Sequence, residues 1–170
     1  PARFESLDYN GQGHPVLTLD DGRAVHARLV IGADGQKSAV RAALGIGAQV
    51  DDYGQSAIIT VVTPERAHEG CAYERFLPGG PLALLPRTPD TCAAVWAVPT
   101  DEATELCSAS ETAFAQALNV AFGHRLGALT LAGPRGAYPL ARVLADQAVA
   151  PRAALIGNAG HALHPAAAQG

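Results

Sequence analysis

The sequence predicts an α+β protein in which a mostly antiparallel sheet with one helix is inserted between two pieces of an α/β unit. Short β-prone runs separated by Gly- and Pro-rich turns fill residues 55–98, and an apolar stripe with a helical period follows at 114–122. On either side of this region, an apolar strand runs into a glycine turn. Because both are strand-to-turn ends, we expect the two pieces to meet in space. The predicted boundaries are 1–48 and 151–170 for the two α/β pieces and 49–150 for the insert.

Composition excludes several classes of protein. Of the 170 residues, 48% are hydrophobic and 16% are charged, whereas a disordered tail shows the reverse balance. Twelve Lys and Arg residues against 16 Asp and Glu residues give a net charge of −4, which provides no basic surface for nucleic acid. No apolar run reaches the length of a transmembrane helix. The three cysteines lack C-x-x-C spacing and predict reduced thiols in an intracellular protein.

Local signals predict the first elements. Asp20-Asp21-Gly22 is a turn signal between two strand-like runs, Pro15–Asp20 and Arg23–Ile31, and it predicts a hairpin. Ser38 is expected to cap a short helix from Ala39 to Leu44.

Later elements follow from spacing. Ser108 and Glu111 fit a capping box for a helix that carries Phe114, Leu118 and Phe122 on one face. Gly123 is expected to end this helix. Further strands are predicted at Gln55–Val62, Ala72–Leu77, Leu82–Leu85, Thr91–Val98, Ala128–Leu131, Ala137–Val143 and Arg152–Ile156.

The first motif with chemical content is L-V-I-G-A-D-G-Q-K-S-A-V-R at residues 29–41. It combines a strand, a glycine turn and a capped helix start, whose backbone N–H groups favour anions. Asp34 offers a carboxylate to hydroxyls or backbone N–H groups, and Arg41 could reach a phosphate or pair with Asp34. The alternative is a tight turn in which Asp34 only caps the helix.

The second motif occupies residues 153–170, where a strand again ends in a glycine turn. Asn158 follows the strand at its carboxyl end, where ligands of open α/β sheets bind. The alternative is that Asn158 only closes the turn by bonding local backbone. His161 and His164 lie three residues apart, but no third ligand is near them in sequence, so no metal site is predicted.

Together, these motifs resemble those of a known family. The first is similar to the G-A-D-G-x-x-S-x-V-R motif of the single-component FAD-dependent aromatic hydroxylases, the family that includes para-hydroxybenzoate hydroxylase. The second resembles the family's G-D-A-A-H-x-x-x-P-x-x-G-Q-G motif. Tyr73-Glu74-Arg75-Phe76, followed by Gly80 to Pro86, resembles the ubiquinone-biosynthesis branch. Asn158 with Leu163-His164-Pro165 looks most like the 2-polyprenyl-6-methoxyphenol hydroxylases of that branch.

The resemblance implies a para-hydroxybenzoate hydroxylase-like fold, in which 1–48 and 151–170 are parts of an FAD-binding domain and 49–150 binds substrate. It implies a flavin-dependent monooxygenase that hydroxylates a polyprenylated phenol ring in ubiquinone biosynthesis. In this family NAD(P)H reduces FAD, O2 adds at flavin C4a as a hydroperoxide, and the distal oxygen passes to the ring. No side chain of this sequence is assigned a catalytic proton transfer.

The resemblance also assigns residues to the flavin. Asn158 would hydrogen-bond the ribityl chain or the pyrophosphate region, and Pro165 would pack at the isoalloxazine edge. Asp34 and Arg41 would lie near the pyrophosphate and ribose. The implied cofactor-binding residues are Asp34, Gly35, Arg41, Gly157, Asn158, Pro165, Gln169 and Gly170. The residues expected to contact substrate are Phe76, Leu84, Trp96 and Tyr138, with ordinary core packing as the alternative for each.

The sequence departs from the family pattern in two respects. It contains no G-x-G-x-x-G turn, which in the family holds the ADP half of FAD, and Ala168 stands where the family usually has Gly. Because the sequence starts at Pro1, lacks Met and stops soon after Pro165, we expect a piece of a longer protein. We expect this piece alone to bind FAD poorly and to be inactive.

The resemblance also bears on the partners and location of the protein, and the sequence leaves alternatives for its function. The branch resemblance implies a cytoplasmic protein whose partners are a polyprenyl phenol and O2, with no nucleic acid. It leaves open peripheral association with the inner membrane, contacts with other ubiquinone-biosynthesis proteins, and a homo-oligomer. The alternatives for function are another FAD-dependent oxidoreductase of the superfamily, such as another aromatic hydroxylase, an epoxidase or a reductase, and a non-catalytic nucleotide-binding module.

Overall fold

A computed structural model describes residues 2–167, and these residues form two compact units. The first unit contains the described residues up to Asp52 and from Ala141 onward, and the second contains Tyr53–Leu140. The sequence-predicted insert, 49–150, covers the whole second unit and extends past it at both ends. The assignment of the units to flavin and substrate stays a prediction.

Short strands dominate the described residues. The helices are α1 (Ala39–Ala43), α2 (Thr100–Ser108) and α3 (Glu111–Phe122), and single 3-10 turns lie at Gly157–Ala159 and Pro165–Ala167. The strands, in chain order, are β1 (Phe4–Tyr9), β2 (Pro15–Leu19), β3 (Ala24–His26), β4 (Val30–Gly32), β5 (Ala48–Pro64), β6 (Tyr73–Leu77), β7 (Gly80–Thr88), β8 (Thr91–Pro99), β9 (Leu129–Leu131), β10 (Gly136–Ala145), β11 (Val149–Ala150), β12 (Ala153–Leu155) and β13 (His161–Ala162).

The first unit contains two small sheets. Strands β1, β2 and β3 form an antiparallel sheet in that order, and β11, β12 and β4 form the second. In the second sheet β12 pairs with β4 in parallel, with Leu155 opposite Gly32. One apolar cluster supports this pair, and its buried members are Val30, Val40, Ile46, Ala153, Leu155 and Ala159.

The predicted hairpin is present, because β2 and β3 pair across the turn with Leu17 opposite Val25. The prediction of a single strand over Arg23–Ile31 is wrong. The Ala27 N–H donates to Pro15 of the first sheet at 2.9 Å, whereas the Val30 N–H donates to Arg152 of the second at 3.0 Å. The run divides because its two halves hydrogen-bond to different sheets.

Helix α1 begins as predicted. The Ser38 hydroxyl oxygen accepts a hydrogen bond from the Arg41 N–H at 2.9 Å. The Asp34 carboxylate accepts the Ser38 hydroxyl proton on one oxygen and the Val40 N–H at 3.0 Å on the other. Partial burial acts to raise the pKa of Asp34, but the hydrogen bonds from Ser38 and Val40 outweigh it and hold the pKa below its ordinary value.

The second unit is a sheet with two helices on one face. Its strand order is β10-β5-β8-β7-β6, and β9 pairs with β5 beside this path. Residues 55–62 of β5 pair antiparallel with β8, with Ile58 opposite Trp96. In the first unit, the far end of β10 pairs with β13. The core of the second unit consists of Ile58, Val62, Leu82, Leu84, Cys92, Ala94, Trp96, Val98, Ala103, Phe114, Leu118, Phe122, Leu126 and Leu129.

The buried stripe of α3 is confirmed, since its three predicted residues are at most 5% exposed. Its predicted start is wrong. Ser110 is the N-cap and accepts the Ala113 N–H at 3.2 Å, while Ser108 ends α2 and donates to the Glu105 carbonyl. Gly123 ends α3 in the left-handed region with φ 86°, as predicted.

One polar side chain of α3 binds the edge of the sheet. Asn119 donates to the Leu129 carbonyl at 3.0 Å, and its amide oxygen accepts the Leu129 N–H at 2.8 Å. On its other side β9 pairs with β5, with Thr63 opposite Thr130. The Asn119 amide therefore takes the place that a further strand would occupy at Leu129.

No helix within residues 2–167 has the length and apolarity that a bilayer span requires.

The core of the second unit should depend on α3. Leu118→Ala should lower the free energy of unfolding by about 3 kcal/mol, because the side chain is 1% exposed and its removal leaves a cavity. Val120→Ala is the matched control on the same helix, since Val120 is 74% exposed, and should cost less than about 0.5 kcal/mol. Denaturant unfolding of both variants measures the difference. Equal losses would mean that α3 does not pack as described.

The α1 cap should depend on pH. Asp34→Asn should lower the free energy of unfolding by about 1 kcal/mol at pH 7. Because the folded pKa lies below the ordinary 3.8, the carboxylate's contribution is complete above that value and is lost as pH falls through the folded pKa. The gap between wild type and variant should therefore shrink below pH 3.8. Chemical unfolding across pH measures the difference in free energy of unfolding between wild type and Asp34→Asn, with Asp8→Asn as an exposed control. A difference that does not change with pH would contradict the role of the Asp34 carboxylate in the cap.

Candidate functional site

The two sequence motifs meet at one edge of the β11-β12-β4 sheet. Because β4 and β12 run parallel, their carboxyl ends lie side by side. We call residues 33–38, which follow β4, the Asp34 turn, and residues 156–160, which follow β12, the Asn158 turn. The Ile156 N–H donates to the Gly32 carbonyl at 2.9 Å. The prediction that the two motifs meet in space is confirmed.

The Asp34 carboxylate accepts two local hydrogen bonds. The Ser38 hydroxyl donates to one of its oxygens and the Val40 N–H donates to the other. A carboxylate oxygen has a second acceptor position, so Asp34 retains capacity for a donor from a ligand. Its lowered pKa keeps it negatively charged at neutral pH. The Asp34 turn therefore suits a hydroxyl better than a phosphate oxygen.

Arg41 binds neither Asp34 nor any other carboxylate among the described residues. Its Nη1 donates to the Ala159 carbonyl at 2.9 Å, and its Nη2 donates to the Gln36 carbonyl at 3.0 Å. The Gln36 amide in turn donates to the Ala141 carbonyl at 3.3 Å. The guanidinium thus joins the Asp34 turn to the Asn158 turn and does not pair with Asp34, whereas a contact of Arg41 with a phosphate stays a prediction.

The Asn158 side chain is exposed. Backbone bonds close its turn, since the Ala159 N–H donates to Ile156 and the Gly160 N–H to Gly157. Gly157 has φ +54°, and a Cβ built there meets nothing within 4 Å. Within residues 2–167 the Asn158 amide makes no hydrogen bond, so its donor and its acceptor are both available to a ligand.

The second motif continues with His161, His164 and Pro165. Pro165 begins a half-buried 3-10 turn, and the His164 Nδ1 accepts the Ala166 N–H at 3.2 Å. His161 lies in β13 opposite Leu144. Within residues 2–167 no three His, Cys, Asp or Glu side chains are grouped so as to hold a metal. Ala168, Gln169 and Gly170 lie outside the described residues.

The four substrate candidates separate by exposure. Leu84 and Trp96 are 0% and 6% exposed and belong to the core; the Trp96 ring centroid lies 6.3 Å from that of Phe114. Phe76 and Tyr138 are 73% and 58% exposed. The structure therefore places the first two in packing contacts and leaves only the last two open to a ligand.

Phe76 belongs to an apolar surface of the second unit. Successive strand residues point to opposite faces, and the core takes Ile58, Leu84 and Trp96. The opposite side chains form what we call the outer face. Cross-strand pairs join it, with Val95 opposite both Ile59 and Ala83. The apolar side chains of the outer face are Ile59, Val61, Phe76, Ala83, Leu85, Ala93 and Val95, and Glu74 lies on the same face opposite Ala83.

Sequence reasoning missed three contributors to the site. These are the side chain and carbonyl of Gln36, the Ser38 hydroxyl as partner of Asp34, and the carbonyl of buried Ala159. The Asp34–Ser38 spacing of four residues at a helix start could have indicated the second. No sequence signal marks a backbone carbonyl as an arginine acceptor.

The residues present fit the hydroxyl-bearing part of a flavin nucleotide. The Asn158 amide can donate and accept, and the Asp34 carboxylate can accept. Gly35, with φ +88°, and Gly157 leave open space beside both turns. The Asn158 amide and the Asp34 carboxylate therefore suit binding and orientation of hydroxyl groups.

Three curated proteins similar to this chain have names that refer to ubiquinone or ubiquinol. The chain is 43% identical over 170 residues to "Ubiquinone hydroxylase UbiL" of Rhodospirillum rubrum. It is 35% identical over 204 residues to "Ubiquinone biosynthesis monooxygenase COQ6, mitochondrial" of Mus musculus, and 36% identical over 154 residues to "3-demethoxyubiquinol 3-hydroxylase" of Escherichia coli. These matches cover 100%, 100% and 91% of the chain, which spans only 39%, 42% and 39% of those proteins.

Solved structures and a family model extend the comparison. The fold is similar to CmlS, a flavin-dependent halogenase, with TM-score 0.77 and 17% identity over 96% of this chain and 32% of that one. It is also similar to aklavinone-11 hydroxylase in complex with FAD and aklavinone, with TM-score 0.72 and 19% identity over 96% and 33%. These likenesses confirm the predicted fold class and show the fold alone. A family model described as "FAD binding domain" matches residues 2–170, and the chain therefore belongs to the FAD binding domain family.

Proposed function

We propose that the protein containing this chain is an FAD-dependent monooxygenase that hydroxylates a polyprenylated phenol ring in ubiquinone biosynthesis, with NAD(P)H as reductant and O2 as oxygen source. The parallel pairing of β4 with β12, which holds the Asp34 and Asn158 turns side by side, carries the proposal. The names of the three relatives support the reaction and the pathway. The fold alone would not, since one fold hosts different chemistries.

On the cofactor side, Asn158 and Asp34 are proposed to bind the ribityl hydroxyls. Asn158 offers an exposed amide without charge, and the ionised Asp34 disfavours a phosphate next to it. Gly35 and Gly157 allow close approach at the two turns. The proposed set also includes Arg41, Pro165, Gln169 and Gly170. FAD supplies the electron transfer and oxygen chemistry when bound, while these residues orient it.

On the substrate side, the outer face is proposed to receive the polyprenyl phenol. An isoprenoid tail is long, apolar and uncharged, and seven side chains of the outer face are apolar, with Glu74 beside them on strand β6. Ile59 and Leu85 are 41% and 40% exposed, so they retain surface to bury against such a tail. Phe76 and Tyr138 remain proposed contacts, whereas Leu84 and Trp96 support the sheet from its core.

The full-length protein tests the function directly. It should purify with a flavin absorption spectrum, and a polyprenyl phenol should stimulate its oxidation of NAD(P)H. Isotopically labelled O2 should place one labelled oxygen on the product ring, read by mass spectrometry. A protein without flavin would overturn the cofactor assignment. A product without labelled oxygen would overturn the monooxygenase assignment.

Asn158 should control flavin affinity without proton transfer, because an amide does not titrate. In the full-length protein, Asn158→Asp should keep FAD binding with a change of at most about 1–3 kcal/mol. Asn158→Leu should lose more, because it leaves a flavin hydroxyl unpaired. Titration of the apo-protein with FAD measures both. Unchanged FAD affinity with a lowered melting temperature in both variants would show that Asn158 serves only the turn.

Phe76 should contribute to binding of the tail. Phe76→Ser should raise KM for a long-chain polyprenyl phenol by roughly tenfold, because one aromatic contact is lost. The rise should be smaller for a phenol with a single isoprene unit. Val120→Ser is the matched control, since Val120 is 74% exposed and Phe76 73%. Steady-state kinetics on both substrates measures the ratio, and equal KM changes for long and short tails would remove Phe76 from the tail site.

A further inference from the structure

We propose that Arg41 is a positioning residue that sets the Asn158 turn for flavin through the Ala159 carbonyl, and that it does not act by offering its charge to the phosphates. The inference rests on the proposed binding of FAD by the full-length protein. It replaces the sequence-based expectation that Arg41 reaches a phosphate or pairs with Asp34.

The first argument is the direction of the guanidinium. Two of its nitrogen atoms are already committed to carbonyl oxygens, at 2.9 Å to Ala159 and 3.0 Å to Gln36. These acceptors belong to different turns, one on each side of the β4–β12 edge. A planar fork with fixed N–H directions can bind both at once. This side chain therefore joins the two turns, in addition to the backbone hydrogen bond from Ile156 to Gly32.

The second argument is burial. Ala159 is 0% exposed, so its carbonyl oxygen is paired with Arg41 and shielded from solvent in the folded chain. A buried acceptor that loses its donor keeps its desolvation penalty, and the turn would have to move to recover a partner. Asn158 directly precedes Ala159 in this turn and would move with it.

The third argument is the anchoring of the opposite end. The Gln36 amide donates to the Ala141 carbonyl of β10 at 3.3 Å, and the Gln36 carbonyl accepts from Arg41. Arg41 itself is held in α1, whose first turn Ser38 caps. The Asp34 turn is thus fastened independently of Arg41. Arg41 joins the Asn158 turn to it at Ala159, beside the backbone hydrogen bonds from Ile156 to Gly32 and from Ala145 to Gly160.

Two variants of the full-length protein separate positioning from charge. Arg41→Lys keeps the charge and most of the aliphatic stem, but a single ammonium group cannot reproduce the fork. Arg41→Gln removes the charge and keeps a donor. If Arg41 acts through the turn, both variants should bind FAD at least about tenfold more weakly than wild type, measured per folded molecule by titration of the apo-protein.

The salt dependence of FAD affinity supplies a readout that lost activity cannot mimic. Salt screens a contact between the guanidinium and a phosphate, so removal of such a contact in Arg41→Gln would flatten the dependence. Positioning predicts the same salt slope for wild type and both variants. Hydrogen exchange should also quicken at residues 156–160 in both variants and stay unchanged in α3.

Arg135→Lys is the matched control. Arg135 also holds two carbonyl oxygens, those of Cys107 and Ala109, but it does so in the second unit. Its replacement should lower the melting temperature without changing FAD affinity per folded molecule. An equal loss of FAD affinity in Arg135→Lys would mean that loss of any arginine bound to two backbone carbonyls weakens FAD binding. That result would overturn the specific role of Arg41.

Two further results would overturn the proposal. One is an FAD affinity of Arg41→Lys within about threefold of wild type; the other is a flatter salt slope in Arg41→Gln. If Arg41→Gln fails to fold, Arg41→Lys still decides, because retained affinity contradicts positioning and a loss despite the retained charge supports it. Wild-type protein that binds no FAD would instead overturn the proposed function, which keeps the two failures distinct.

Discussion

The parallel pairing of β4 with β12 is the constraint on which the site depends. Two backbone hydrogen bonds, from Val30 to Arg152 and from Ile156 to Gly32, join parts of the chain that the whole second unit separates in sequence. Closing so long a loop costs entropy, and the buried cluster beneath the pair offsets it. A Cβ at Gly32 would lie 2.7 Å from Leu155 Cδ2 and 3.0 Å from Val40 Cγ1. Glycine at this position therefore lets the strand pair and α1 pack together.

Local signals predicted much of the fold because the interactions behind them are local. The Ser38 cap, the hairpin at 20–22 and the end of α3 at Gly123 each depend on residues a few positions apart. Helix α2 was missed because it gives almost no local signal. Its N-cap, Pro99, makes no side-chain hydrogen bond, and only Ala103 is buried.

The site was predicted only in part, for a different reason. The sequence indicated which turns carry chemistry, and their adjacency followed from the rule for strand ends. The partners of Arg41 did not follow, because its acceptors are backbone carbonyls and every residue carries one. The sequence also did not show which side chains of each strand face the core. Strand β8 reads T-C-A-A-V-W-A-V-P, apolar on both sides, so alternation could not show that Trp96 faces the core and Val95 faces away.

The amide of Asn119 has a consequence beyond the stability of α3. An open strand edge presents unpaired N–H and C=O groups to any neighbouring chain and favours intermolecular sheet growth. At Leu129 both groups are already taken by this one side chain, so a second molecule finds no ladder position there. The contact of Asn119 with Leu129, which holds α3 against its sheet, thus also opposes aggregation through this strand edge. Replacing it by an apolar residue of similar size would leave the core intact and yet make the protein less soluble.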